Sequence, residues 1–172
     1  VSAELGEISQ LAEQIRIEMK EIARDLRPYH LDKIGLTKAI AKMADRVGRA
    51  CGLDVATDIA AIDDVVAPGS RIHIYRIVQE GLSNVVKHAD ASQATVRVAR
   101  DACCIHIRVE DDGQGLGAGV ADAARPGGEG LGLMGIRERT RMLGGTIEIR
   151  SGRCEGTALI LTFPLEGLRR GH

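Results

Sequence analysis

Residues 77–89 read IVQEGLSNVVKHA, and this stretch decides how the rest of the chain is understood. Its apolar residues recur at helical spacing, while Glu80, Asn84 and His88 stand four residues apart. Because residues four apart are neighbours on one helix face, the pattern predicts a helix with a carboxylate, an amide and an imidazole in a row beside an apolar stripe. Taken alone, such a row is also what an ordinary solvated helix face shows.

Residues 111–115 read DDGQG and directly follow an alternating pattern typical of a strand. Asp111 would then stand at the end of a buried strand, beside glycine backbone with no side chains in the way. A carboxylate in that place can accept a hydrogen bond from the exocyclic amine of a purine. Asp-Gly pairs are also common in simple turns, so this stretch alone leaves both interpretations open.

The third informative stretch is Gly130-Leu131-Gly132, which opens a helical pattern that starts at about Leu133. Backbone amides at a helix N-terminus bind phosphate oxygens well when no side chain blocks them. A flexible linker has the same composition, so this G-x-G is also ambiguous by itself.

The order and spacing of the three stretches resemble the ATP-binding domain of histidine kinases and of the wider GHKL, or Bergerat-fold, ATPase superfamily. Residues 77–89 resemble its N box, and residues 111–116, DDGQGL, resemble its G1 box. Residues 130–139, GLGLMGIRER, are similar to the G2 box of sensor kinases that drive response regulators with helix-turn-helix output domains. The motif Leu26-Arg27-Pro28, with Leu31 and Gly35-Leu36 after it, resembles the end of that subfamily's dimerisation domain, so the resemblance covers nearly the whole chain.

The resemblance implies a role for each matching residue. Asp111 would bind the adenine amino group, and Asn84 would coordinate the Mg²⁺ that bridges the phosphates of ATP. Glu80 would be the catalytic residue, orienting a metal-bound water or assisting proton transfer. The other implied nucleotide-binding residues are Lys87 and His88 at the phosphates, Gly113 and Gly115 in the G1 box, Gly130, Leu131 and Gly132 in the lid, and Thr157 beside the adenine. Arg137 and Arg139 are interpreted as polar positions on the lid helix.

The same patterns predict the architecture. Pairs of alternating runs indicate β-hairpins, so we expect a mixed sheet with helices layered on one face, an α/β two-layer sandwich preceded by a long N-terminal helix. Residues 1–30 are assigned to the last helix of a dimerisation domain, 31–166 to the ATP-binding domain and 167–172 to a tail, and the chain is expected to fray from Pro164 onwards. The predicted helices cover 4–27, 36–50, 72–89 (capped by Ser70) and 133–143, and the strands 53–59, 95–100, 103–110, 146–151 and 157–163, with an irregular glycine-rich stretch before Gly130.

Composition narrows the function classes. A chain of 172 residues, 44% hydrophobic, is long enough for one well-buried domain. Its net charge of −1 and its three aromatic residues argue against a nucleic-acid binder. Four cysteines without paired spacing favour a reduced, cytoplasmic setting. The residues hold no run of membrane-spanning length and no leader pattern, and because they start at Val1 we expect them to be part of a longer protein.

The resemblance therefore implies a domain that binds Mg-ATP and transfers the γ-phosphoryl group to a histidine, which then supplies a response regulator. The family's phosphoacceptor histidine lies in an H box on the first dimerisation helix, and residues 1–172 contain no match to that box. The implied partners are ATP, a response regulator and, in the full-length protein, a second copy; whether that protein is anchored in a membrane is left open. The alternatives are an anti-sigma-factor serine kinase on the same fold and a nucleotide-binding module without transfer activity.

Overall fold

The computed structural model describes residues 29–115, 131–152 and 155–169. Helices and strands alternate along these residues, and a π-helical turn, Val85–Ala89, continues the third helix. The helices are α1 (Tyr29–Ile34), α2 (Leu36–Cys51), α3 (Pro68–Asn84), α4 (Leu131–Met142) and α5 (Leu165–Arg169); the strands are β1 (Asp54–Ile59), β2 (Gln93–Arg100), β3 (Cys104–Asp111), β4 (Thr146–Ser151) and β5 (Thr157–Pro164).

The five strands form one mixed sheet in the order β1-β2-β3-β5-β4. The hairpins β2–β3 and β4–β5 are antiparallel, as predicted, and β3 pairs with β5 in the same sense. β1 runs parallel to β2, because the chain crosses over through α3 between them. The mixed sheet predicted from the sequence is confirmed.

One face of the sheet carries the hydrophobic core. Alternate residues of the central strands, such as Val96, Ile107 and Leu161, are fully buried, and they share the core with Ile40 and Ile77 of α2 and α3. The residues between them on β2 and β3 are mostly polar, and they are exposed or half-buried. Within the described residues the helices therefore cover one side of the sheet, which confirms the two-layer α/β sandwich.

Two local predictions are wrong. Helix α3 begins at Pro68 and not near residue 72, so Ser70 lies inside the first turn, 1% exposed, and does not cap it. Proline suits this start because the first helical N–H has no partner in any case. The chain after Pro164 does not fray either: Leu165 and Leu168 are buried in α5, and the Leu168 carbonyl accepts a hydrogen bond of 3.0 Å from Ala67 N–H.

Three predictions fall on residues outside the described ranges. These are the long helix over 4–27, the glycine-rich stretch that ends at Gly130, and the last three residues of the tail. The boundary between a dimerisation helix and an ATP-binding domain at residue 30 also stays a prediction.

Candidate functional site

Helix α4 packs against α3 at the polar row predicted from the sequence. A Cβ atom added to Gly132 would overlap Oε1 of Glu80 and would lie 3.3 Å from Oδ1 of Asn84. Both of these side chains are half-buried. Glycine at position 132 is therefore what allows the start of α4 to approach the two oxygen atoms so closely.

The predicted α-helical face with Glu80, Asn84 and His88 ends at Asn84 and does not include His88. After Asn84 the backbone leaves α-helical geometry for the π-helical turn, and Lys87 and His88 lie exposed within that turn. Such turns are rare and frequently occur at functional sites. Asp90 ends the turn in the left-handed conformation, with φ 50°, and the chain then enters β2.

Asp111 ends β3, half-buried, as the sequence predicted. Its Oδ1 accepts a hydrogen bond of 3.0 Å from the N–H of Gly113. Burial disfavours the charged carboxylate and raises the pKa of Asp111 above its usual value, and it outweighs the backbone N–H groups of Gly113 and Thr157, which favour the charged form. The residue is thus an acceptor held at a site that is partly closed to water.

Asp112 has a structural role that its sequence pattern does not predict. Its carboxylate accepts from Ser92 N–H at 2.9 Å, Gln93 N–H at 2.8 Å and the Ser92 hydroxyl at 2.6 Å. These hydrogen bonds, that of the Ser92 hydroxyl first, hold the pKa of Asp112 below its usual value. Asp112 therefore fixes the start of β2 against the end of β3. Nothing in the sequence alone distinguishes its role from that of Asp111 next to it.

The loop after β3 is anchored to the end of the π-helical turn. Gln114 N–H donates to the Ala89 carbonyl at 2.8 Å, and its side-chain amide donates to the His88 carbonyl at 2.9 Å. A Cβ atom at Gly113 would overlap the Ala89 oxygen and lie 2.7 Å from its carbonyl carbon. Because these neighbours are backbone atoms, only glycine fits at Gly113.

The same loop is enclosed on its other side by the connection between β4 and β5. Gly156 N–H donates to the Gly113 carbonyl at 3.0 Å. Gly115 and Gly156 have φ of 75° and 71°, and a Cβ atom on either would overlap a backbone oxygen, of Gly152 and Asp111 respectively. The backbone around Asp111 is therefore held in place by close glycine contacts.

A row of polar side chains crosses the sheet at this edge. Asp111 pairs in register with Thr157, and Thr157 pairs with Ser151. Paired residues of antiparallel strands point to the same face, and this face is the one that carries the core. The neighbouring row towards the core is apolar, formed by Val109, Leu159 and Ile149.

The structure thus brings together most of the predicted site. Glu80, Asn84 and Gly132 meet where α3 contacts α4, and Asp111, Gly113, Gly115 and Thr157 meet at the edge of the sheet. Lys87 and His88 lie on the turn that connects α3 with this edge. Leu131 is the first residue of α4, so the helix starts two residues earlier than predicted, and Gly130 lies outside the described residues. The guanidinium of Arg139 donates to the Gly135 carbonyl of its own helix at 3.0 Å, in agreement with a polar helix position.

Residues 69–167 match the family described as histidine kinase-, DNA gyrase B-, and HSP90-like ATPase. The match covers more than half of the chain. The chain belongs to this family.

Curated relatives of this ATPase domain are sensor kinases. The chain is 33% identical over 164 residues to the signal transduction histidine-protein kinase/phosphatase UhpB of Salmonella typhimurium, covering 90% of the chain and 30% of that protein. It is 29% identical over 165 residues to the sensor histidine kinase LiaS of Bacillus subtilis, covering 96% of the chain and 44% of that protein. The chain thus spans less than half the length of these relatives.

The fold is also found among solved structures. The histidine kinase domain of a blue-light activated histidine kinase from Erythrobacter litoralis superposes with a TM-score of 0.68 at 22% identity, covering 78% of this chain and 67% of that one. Together, the family match and the relatives confirm the prediction that the chain is a GHKL ATP-binding domain of the sensor histidine kinase type.

Proposed function

We propose that the protein containing this domain binds Mg-ATP here and transfers the γ-phosphoryl group to a histidine, which then supplies a response regulator. The observation that carries the proposal is the meeting of Glu80, Asn84 and Gly132 beside the π-helical turn, with Asp111 held at the neighbouring sheet edge. One end of this site suits phosphates and a metal ion, and the other suits a base.

At the base end, Asp111 binds the adenine. Gly113 N–H and Thr157 N–H hold its carboxylate in place, and ionised oxygen atoms accept hydrogen bonds from the adenine amino group. The glycine residues on either side let the neighbouring backbone segments pack closely around Asp111. Thr157, next to Asp111 in register, supports the same contact.

At the phosphate end, the residues fit Mg²⁺. The amide oxygen of Asn84 and a carboxylate oxygen of Glu80 lie around the single point where a Gly132 side chain would begin. Mg²⁺ prefers oxygen ligands and takes one or two from a protein, with phosphates and waters for the rest. Among the described residues, no group of three or more His, Cys, Asp or Glu side chains is arranged to hold a metal. We assign Asn84 as the ligand because its amide oxygen faces the start of α4 beside Glu80. Bound Mg²⁺ neutralises the charge that develops on the transferred phosphoryl group.

Glu80 is the catalytic residue in this proposal. It stands one helical turn before Asn84 and faces Gly132, where it can orient a metal-bound water or take a proton from the attacking group. Lys87 and His88 are exposed on the π-helical turn, and we assign them to the phosphate oxygens. We assign Leu131 and Gly132 at the start of α4, together with Gly130 before them in the sequence, to the same phosphates.

The proposed setting is the cytoplasm, as part of a homodimeric sensor kinase that phosphorylates a response regulator. The curated relatives UhpB and LiaS are histidine kinases by name. None of the helices within the described part of the chain is long and apolar enough to cross a membrane.

The test is binding and transfer with the chain itself. Isothermal titration should show binding of an ATP analogue that is enhanced by Mg²⁺. Incubation with labelled ATP should leave the chain alone unlabelled, since it has no H box. When a dimerisation domain bearing the acceptor histidine is added, acid-labile label should appear on that domain.

Asp111→Asn serves as the control with weakened nucleotide binding, and at low ATP concentration it should give much less label on the acceptor domain than the wild type. Acid-labile label on the chain alone would contradict the proposal that the acceptor histidine lies elsewhere. Acid-stable label on a serine of a partner protein would instead favour the anti-sigma-factor kinase.

A further inference from the structure

Gln114 carries the side chain between the two glycine residues of the loop after β3, and the proposed reaction gives it no role. Gly113 before it lies against the Ala89 carbonyl. Gly115 after it, with φ 75°, lies so close to Gly152 that a Cβ atom would overlap the backbone oxygen there. The Gln114 N–H donates to the Ala89 carbonyl at 2.8 Å. The backbone of Gln114 is therefore held on both sides, and its side chain extends from a fixed point.

The side chain of Gln114 contacts the end of the π-helical turn Val85–Ala89. The last carbonyl groups of a helix have no partner within the helix, so side chains, other backbone groups or water must satisfy them. The side-chain amide nitrogen of Gln114 donates to the His88 carbonyl at 2.9 Å. The direction of this hydrogen bond follows from the groups involved, because a carbonyl oxygen only accepts.

The middle of the π-helical turn has little other support. Val85 and Ala89 at its two ends are buried in the core, whereas Val86, Lys87 and His88 between them are exposed. Packing in the core therefore contributes little to the position of these three residues. The hydrogen bond from Gln114 to the His88 carbonyl acts on this exposed part of the turn.

We propose that Gln114 is a positioning residue for the phosphates of the nucleotide: its side-chain amide holds the His88 carbonyl and thereby the conformation in which the turn presents Lys87 and His88. The backbone contact to Ala89 remains in any variant at position 114, but the contact to His88 depends on the side chain. Because Asp111 lies three residues before Gln114, the same loop connects the base end of the site with its phosphate end. This inference rests on the proposed nucleotide binding and adds a residue that aligns the phosphate end.

The experiment compares the affinity of the chain for ATP and for adenosine, which has the same base and no phosphates. NMR titration measures both values of Kd, and their ratio isolates the contribution of the phosphates. Gln114→Ala removes the side-chain amide. We expect its affinity for ATP to fall about two- to fivefold, the effect of one exposed, neutral hydrogen bond, while its affinity for adenosine stays unchanged.

Three further variants separate this role from a structural one. Gln114→Met keeps a side chain of similar length that cannot donate, and it should lower the ratio as Gln114→Ala does. Gln93→Ala removes another exposed glutamine side chain, at the start of β2, and should leave the ratio unchanged. In a variant that carries both Lys87→Ala and His88→Ala, the change Gln114→Ala should have no further effect on the affinity for ATP.

The outcomes distinguish the inference from the function on which it rests. Equal weakening of ATP and adenosine in Gln114→Ala, or no change in either affinity, would overturn the inference and leave the proposed nucleotide binding intact. A further loss of ATP affinity in the variant without Lys87 and His88 would also overturn it. Absence of ATP binding by the wild-type chain would overturn the proposed function itself, and the inference with it.

Discussion

Replacing Gly132 by alanine should impair phosphoryl transfer while leaving the fold intact. The new Cβ atom would overlap Oε1 of Glu80 and lie 3.3 Å from Oδ1 of Asn84. Ordinary van der Waals contact begins at about 3.4 Å, so the Glu80 carboxylate has to move by roughly 1 Å. It can do so by rotation, because the atom in contact is the far end of a flexible side chain.

The magnitudes of the two effects differ. Alanine improves helix propensity by up to about 1 kcal/mol, which offsets the cost of rotating a half-buried side chain, so the free energy of unfolding should change by less than about 1 kcal/mol. A displacement of about 1 Å at a catalytic group can cost about a hundredfold in rate, and we expect a ten- to hundredfold loss of transfer. Affinity for the adenine end should change little, because Asp111 lies at a different part of the site.

The assay combines thermal unfolding with transfer of label from ATP to an added acceptor domain. Gly135→Ala is the matched control, since it lies in the same helix and its added Cβ atom would stand 2.8 Å from the Arg139 guanidinium, away from Glu80. It should transfer at the wild-type rate. Wild-type transfer by Gly132→Ala as well would refute the assignment of Glu80 and Gly132 to one reacting site.

Further predictions concern three carboxyl or amide groups. Asp111→Asn should weaken ATP binding at least about tenfold in isothermal titration, the loss of a hydrogen bond to a charged group. Without nucleotide, the Tm of Asp111→Asn at neutral pH should be no lower than that of the wild type. The reason is that a carboxyl with a raised pKa stabilises the fold at low pH, and this contribution is lost as the pH rises through its folded pKa. Asn84→Ala should lose the enhancement of binding by Mg²⁺, and full enhancement in that variant would make Asn84 a simple helix-face residue. A hydrogen bond from His106 and two backbone N–H groups lower the pKa of Asp101 to about 2. The charged carboxylate of Asp101 therefore stabilises the fold above its unfolded pKa of 3.8, and this contribution disappears as the pH falls towards 2. The Tm of Asp101→Asn should therefore fall less steeply than the Tm of the wild type over that pH range. An equally steep fall would contradict the stabilising role of the charged Asp101 carboxylate.

The sequence predicts the local placement of the candidate site residues better than it predicts how they are arranged relative to one another. The spacing of Glu80 and Asn84 predicts one helix face, and an aspartate at a strand end predicts a fixed acceptor; both are local properties of the chain. The π-helical turn was not predicted, since Val85–Ala89 continue a helical pattern and nothing in their composition indicates a wider turn. The start of α3 and the tail differ from the prediction because Pro68 can start a helix and because Leu168 is buried only through contacts with distant residues.

Sequence periodicity by itself predicted α2, most of α3 and α4, the two hairpins and the mixed two-layer sheet, because hydrogen bonds and side-chain direction within one element depend on neighbouring residues. Only the tertiary structure decided that Gly132 contacts Glu80, that Gly113 lies on the Ala89 carbonyl, and that Ser151 joins Thr157 and Asp111 in one row. These contacts join residues that are far apart in the chain. Their geometry depends on how helices pack and which strands pair, and no local pattern specifies either.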